Sequence, residues 1–200
     1  MTIPPFSSPF DSLAEWLGVG AVSADATAYA MQLFRPVQLN KHAYLVRAGE
    51  YMPEMGLLAE GLMRHYFLQT DGTEITVEFA RAGDLVGEYN NMLLNQPADH
   101  YVQALEPCLI MLAPIADLRL ACDQYADLDH LSRLYTEQYL YRLIAQMSQY
   151  MTRRPEERYL YLLEHDPDLI QRVPQTILAS YVGVTPVSLS RIRKRLMAGR

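Results

Sequence analysis

The 200-residue sequence holds only two cysteines, Cys108 and Cys122, which excludes a disulfide-built secreted scaffold and suits a reducing compartment. Long hydrophobic runs are missing as well. The longest nearly uncharged apolar stretch, from Pro107 to Ala116, is half of the roughly 20 residues that a membrane-spanning helix needs, so it reads as a buried strand and no membrane partner is expected. Met1 to Phe10 carries no Lys or Arg ahead of an apolar core and lacks the layout of a secretory signal; the expected location is the cytoplasm. Glycine (10) and proline (12) are too sparse for a collagen-like or low-complexity chain. No nucleophile motif, Walker-type loop or dinucleotide fingerprint occurs, so no catalytic residue and no cofactor is assigned. The histidines His42, His65, His100, His130 and His165 are dispersed, with no pair at ligand spacing on one predicted element, and no metal site is assigned. What is plentiful is apolar residue, 50% of the chain, enough for a sizeable core.

The pattern of that apolar content predicts an α+β chain. Residues 1–33 read as an N-terminal helical arm, with Leu13, Trp16 and Leu17 on one helical face. From 34 to 114, short β-branched and aromatic runs separated by Gly49, Gly61, Asp71-Gly72, Gly83 and Gly87 predict a chain of antiparallel strands. Asp71-Gly72 is the sharpest hairpin signal, because its flanks, His65 to Leu68 and Glu74 to Phe79, both alternate. Residues 115–152 predict a short helix with Leu118, Ala121 and Cys122 on one face, then a long one. Its apolar stripe includes Leu131, Leu134, Leu143 and Met147, and exceeds what a small β-domain can cover, so it is the expected seam between two copies. Residues 153–200 form a separate helical block, with helices expected over Glu156–Glu164, Pro174–Val182 and Pro186–Met197.

The net charge of −6 argues against a simple basic nucleic-acid binder, but it is unevenly divided. The first 149 residues carry 8 basic and 18 acidic groups, whereas the last 51 carry 9 basic and 5 acidic. Within this basic end, Gln175 to Leu196 reads as a helix-turn-helix. Ala179 is small where two helices must approach, and Gly183 sits where the turn needs positive φ. Thr185 is placed to cap the next helix, and Pro186 fits its first position. Leu189, Ile192 and Leu196 would face inward, leaving Ser188, Ser190, Arg191, Arg193, Lys194 and Arg195 for phosphates and base edges of double-stranded DNA. One such unit makes few contacts, so a homodimer over two half-sites is expected.

Taken together, the chain from about Phe34 to Leu196 resembles the Crp/Fnr family of bacterial transcription regulators. The resemblance rests on Leu45 to Glu50, Leu57 to Tyr66, Asp71 to Thr76 and Gly83 to Glu88, and then on Ala179 to Thr185 and Leu189 to Lys194. It implies an N-terminal antiparallel β-roll of the cyclic-nucleotide-binding type, double-stranded and jelly-roll-like. A long dimerisation helix and a C-terminal helix-turn-helix domain would follow. Because the chain stops at Arg200, a β-hairpin wing after the last helix is expected to be absent. A small-molecule effector and RNA polymerase are further candidate partners.

Departures from the family pattern carry the mechanism. Gly87-Glu88 matches the pair that opens the family's phosphate-binding cassette, with the Glu on the ribose. The phosphate-binding Arg and its hydroxyl neighbour fall near Ala98-Asp99, before His100 and Tyr101, so an anion would meet no guanidinium there and cyclic AMP binding in the usual mode is not expected. Gly87, Glu88, Asp99, His100, Tyr101, Tyr135 and Tyr139 are the candidate ligand pocket, although core and interface packing is the favoured use for the tyrosines. Members with an iron–sulfur cluster use four cysteines, which this chain lacks. The family's base-reading Glu is replaced by Val187, while Arg191 matches its Arg, so a different operator is expected. The candidate DNA contacts are Thr185, Val187, Ser188, Ser190, Arg191, Lys194 and Arg195. Two other readings stay open: a cupin-like β-roll small-molecule-binding protein whose C-terminal helices serve assembly, and a constitutive DNA binder with its pocket filled by side chains.

Overall fold

The computed structural model describes residues 22–88 and 93–198, so the face proposed for Leu13, Trp16 and Leu17 lies outside the described residues. Among the described residues, eight strands form two four-stranded sheets. β1 (Arg35–Leu39), β3 (Glu54–Glu60), β6 (Leu85–Val86) and β8 (Cys108–Pro114) lie in the order β1-β8-β3-β6. β2 (Tyr44–Val46), β4 (Leu62–Leu68), β5 (Glu74–Arg81) and β7 (Tyr101–Ala104) lie in the order β2-β7-β4-β5. β8 is the centre of the first sheet, antiparallel to β1 through Val37 opposite Ile110 and to β3 through Leu57 opposite Met111. The apolar run read as a buried strand is therefore the strand paired on both edges. Its alternate residues Cys108, Ile110 and Leu112 join Val46, Leu58, Met63, Val86 and Val102 in the core of the roll.

The helices are α1 (Ala24–Leu33), α2 (Ile115–Gln124), α3 (Ala126–Thr152), α4 (Pro155–His165), α5 (Pro167–Arg172), α6 (Gln175–Val182) and α7 (Pro186–Ala198). α5 is an addition to the sequence reading, which treats His165-Asp166-Pro167 only as a break. Asp166 both ends α4 and caps α5, accepting from Leu169 N at 3.2 Å, and Pro167 occupies the first turn, where no N–H is needed. α3 has 27 residues, about 40 Å at 1.5 Å per residue. Among the described residues, no helix is long and apolar enough to cross a membrane.

The chain divides into two compact units, residues 1–65 with 79–140, and residues 66–78 with 141–200. The first contains the core of the roll and a second cluster in which α1 packs on α2 and the start of α3 through Ala26, Ala30, Ala121, Leu128, Leu131 and Tyr135. This corrects part of the expected dimer seam. Leu131 is buried by its own chain and has no surface left for a partner, and Leu134 is half-buried. The stripe changes use along the helix: Leu140, Ile144, Met147 and Met151 are each more than half exposed, with Leu143 exposed beside them.

The second unit joins the end of the β4–β5 hairpin to α4–α7. In the hairpin turn Asp71 accepts from Thr73 N at 2.9 Å, and Gly72 has φ 86°. Ser180 of α6 ties down the strand beyond it, donating to Glu74 O at 2.7 Å and accepting from Thr76 N at 2.8 Å.

Candidate functional site

Two places in the chain carry chemistry, one in each unit. In the second unit, α6 ends at Gly183, whose φ of 80° and ψ of 40° are left-handed. This lets Val184 N return to Ala179 O at 2.9 Å and turns the chain sharply. The hydroxyl of Thr185 accepts from Ser188 N at 3.2 Å and so caps α7, with Pro186 at its first position. Leu178, Ala179, Val182, Leu189 and Ile192 are buried; Ala179, Leu189 and Ile192 match the expected inward positions, whereas Leu196, expected with them, is half-buried. The opposite side of α7 is exposed at Val187, Arg191, Lys194 and Arg195, while Ser188 and Ser190 are half-buried. Three of the expected DNA contacts are engaged within the chain: Thr185 as the cap, Ser188, whose Oγ accepts from the Thr185 hydroxyl at 3.0 Å, and Arg195, which donates to Glu156 at 3.0 Å. That ion pair is open to water and therefore weak enough to exchange for a phosphate.

Arg158 braces this arrangement, a role with no signature in the sequence. Its guanidinium donates to Val182 O at 2.9 Å, to Tyr150 O at 2.7 Å and to Arg153 O at 3.2 Å, and lies 4.4 Å from the centre of the Tyr150 ring. One side chain thus satisfies carbonyls at the ends of α3 and α6, which have no partner within their helices.

In the first unit, Gly87 and Glu88 follow β6, and Asp99 and His100 precede β7. Glu88 is buried, His100 nearly so, and Asp99 exposed. His100 Nδ1 lies 2.8 Å from Asp99 Oδ1 and 3.6 Å from Glu88 Oε1. Its other nitrogen, Nε2, lies 3.1 Å from Nδ1 of His65 on β4, with the two rings tilted 32°. Histidines that look dispersed along the chain therefore meet, because β4 and β7 are neighbours in the sheet. Burial, and then the neighbouring His100 imidazole, lowers the His65 pKa to about 3, so this ring is neutral near pH 7. The buried guanidinium of Arg64 donates to Gln103 Oε1 at 3.0 and 2.7 Å.

Tyr135 and Tyr139 take the packing role and not the pocket one. Tyr101 meets Tyr44 edge-on, with centroids 6.0 Å apart. Tyr135 is buried and accepts from Leu85 N at 2.9 Å, and Tyr139 stacks on it at 6.4 Å within the α1–α2–α3 cluster. Of the seven candidate pocket residues, the structure brings Glu88, Asp99 and His100 together and places Tyr135 and Tyr139 in a core.

Residues 36–125 match the cyclic nucleotide-binding domain family. No curated protein sequence matches the chain. Among solved structures, FixK2 from Bradyrhizobium japonicum is similar, at 20% identity and TM-score 0.70 over 83% of this chain and 85% of that one. The c-di-GMP-responsive global regulator CLP of Xanthomonas campestris gives 16% and 0.72 over 88% and 93%. A CooA variant from Carboxydothermus hydrogenoformans gives 17% and 0.71 over 93% and 84%. The β-roll is thus a domain of the cyclic nucleotide-binding type. An antiparallel β-roll followed by helices is the fold that the chain shares with these solved structures.

Proposed function

We infer that this protein is a DNA-binding transcription regulator of the Crp/Fnr type, acting as a homodimer on a palindromic site. The observation that carries the reading is the Gly183 turn between two helices that bury Leu178, Ala179, Leu189 and Ile192 while leaving Arg191 and Lys194 outward. Such a pair presents α7 to a major groove, where Arg191 matches the O6/N7 edge of guanine and Val187 a thymine methyl. The exposed apolar face of α3 from Leu140 to Met151 supports the dimer, because its residues recur at a spacing of three and four and none of the described residues covers them.

The effector is not cyclic AMP bound in the usual mode. The two carboxylates at Glu88 and Asp99 would repel a cyclic phosphate, and the buried Arg64 is bonded to Gln103. Selection from random DNA, followed by gel shifts of the selected site across a salt series, tests the reading. A palindrome bound with log K falling steeply in log salt, roughly 0.9 per phosphate contacted, is expected. Weak binding with no selected sequence would overturn it and favour an assembly role for the C-terminal helices.

A further inference from the structure

We propose that Glu88, Asp99 and His100 form a binding site for a divalent transition-metal ion that accepts mixed nitrogen and oxygen donors, such as zinc, iron(II) or manganese. The proposal supplies the regulator reading with a ligand class, but it stands on the cluster itself and is tested by metal binding before any DNA is added.

Each of the three residues offers one donor atom, and the three atoms lie within 4.8 Å of one another. Ligand atoms about 2.0–2.2 Å from a shared ion are themselves roughly 3–4 Å apart, so small side-chain rotations close the set. The imidazole Nδ1 is already 2.8 and 3.6 Å from the two carboxylates. The backbone holds the three in place from two directions: Glu88 from the end of β6, and Asp99-His100 from the approach to β7.

His65 is the second observation. A ligating histidine generally has its remote ring nitrogen held by a hydrogen bond, which fixes the ring plane and the tautomer. His100 has this arrangement before any ion is present: Nε2 is held by buried His65 Nδ1 at 3.1 Å, which leaves Nδ1 directed at the carboxylates. A buried imidazole has little other reason to face a second imidazole, since each neutral ring offers one donor and one acceptor and an aliphatic pair would pack at lower cost.

Burial is graded across the set, with side chains 1%, 12% and 56% exposed at Glu88, His100 and Asp99. An ion would therefore enter from the Asp99 side and keep open positions there for water or a small ligand. Three protein ligands with an open face are the pattern of exchangeable rather than purely structural sites. The imidazole disfavours calcium and magnesium, which take oxygen ligands. Two carboxylates sharing one cleft repel each other, and a divalent cation offsets that repulsion.

The test uses the untagged full chain, freed of metal by a chelating resin and titrated with Zn2+, Mn2+ or Fe2+ against a fluorescent chelator, with Ca2+ and Mg2+ in parallel. One ion per chain at micromolar or tighter affinity is expected for at least one transition metal, with calcium and magnesium at least 100-fold weaker. H100A and E88Q should each weaken binding at least 100-fold and the exposed D99N about tenfold. H65Q should weaken it 10- to 100-fold by releasing the ring of His100. Far-ultraviolet circular dichroism checks that each variant is folded, and D99N, at an exposed position, remains informative if the buried variants are not. Absence of a 1:1 complex in the wild type, or equal binding by folded H100A and D99N, would overturn the proposal. Metal binding without any DNA binding would instead leave the site intact and remove the regulator reading.

Discussion

Replacing Gly183 by alanine should destabilise the helical unit by about 2–3 kcal/mol, and two separable effects make up that cost. The first is conformational: φ of 80° costs an L residue about 1–2 kcal/mol, partly offset by the smaller entropy of the unfolded alanine chain. The second is packing. A Cβ here would lie 2.9 Å from Tyr150 Oη and 3.2 Å from Arg158 Nη2. Tyr150 is exposed and can swing aside, but Arg158 cannot move without loosening its bonds to Val182, Tyr150 and Arg153, so about 1 kcal/mol or more of overpacking remains. Gly72 supplies the control. It has φ of 86°, belongs to the same compact unit and has nothing within 4 Å of its would-be Cβ, so G72A incurs only the conformational cost. For a unit of this size 1 kcal/mol moves Tm by roughly 4–8 °C, so thermal unfolding should place G183A about 8–24 °C below wild type and G72A about half as far. Equal shifts would refute the packing argument, and an unchanged or raised Tm for G183A would refute the left-handed turn on which the proposed reading helix depends.

Replacing Arg191 with Ala should weaken binding to the selected operator by about 1–3 kcal/mol and relax preference at one base pair, whereas K194A should lower the salt slope by about 1 with sequence preference kept; gel shifts over a salt series read both. Placing a charge on the exposed face of α3, as I144E or M147E, should leave circular dichroism unchanged and yield a monomer by analytical ultracentrifugation; a persistent dimer would move the seam elsewhere. Hydrogen bonds from Ser23, side chain first and then backbone, hold the Asp127 carboxyl below its ordinary pKa. Because the folded pKa lies below the unfolded one, that contribution is complete above the unfolded carboxylate value near 4 and is lost as pH falls through the folded value. The urea midpoint of D127N should accordingly lie below wild type at pH 7, and the gap should close in acid. Burial and the Asp129 charge raise the Cys122 thiol, so its alkylation at pH 8 should be slower than that of free cysteine, and equal rates would contradict its packing beside α1.

Strands, turns and the order of helices were legible because their signals are local. Asp71-Gly72 marks the β4–β5 hairpin, although β4 buries Leu62 to Tyr66 in succession and exposes Phe67 and Leu68 instead of alternating; an uninterrupted apolar run marks the doubly paired β8, and Ala179, Gly183, Thr185 and Pro186 each have a steric reason within a few residues of their neighbours. The missed features are long-range. Leu131 and Leu143 are alike in sequence, and only the arrival of α1, about a hundred residues earlier in the chain, separates a covered leucine from an exposed one. Tyr135 and Tyr139 look like pocket aromatics until the hydroxyl of Tyr135 is found accepting from Leu85 N. His65 and His100 are 35 residues apart, and their pairing depends on β4 lying beside β7, a register no periodicity encodes.

An ion at Glu88, Asp99 and His100 can change DNA affinity only if it binds more tightly to one arrangement of the reading helices than to another. The chain supplies a covalent route for that difference. His65, which holds the ring of His100, is the last residue of the first unit on β4, and Tyr66 begins the hairpin segment of the second. On the β5 side of that segment the backbone of Glu74 and Thr76 is clasped by Ser180 of α6, and the neighbouring Val77 carbonyl accepts from Gln146 of α3. Ordering His65 therefore acts on β4, whose hairpin partner β5 is bonded through Glu74 and Thr76 to the helix preceding the Gly183 turn. Two backbone hydrogen bonds through one serine hydroxyl are worth about 1–3 kcal/mol together, the size of a typical coupling between sites. S180A removes both bonds without touching either the ion's ligands or the face of α7. It should leave metal affinity and metal-free DNA affinity close to wild type while reducing the metal-dependent change in DNA affinity. A full metal response in S180A would show that coupling runs through α3 alone.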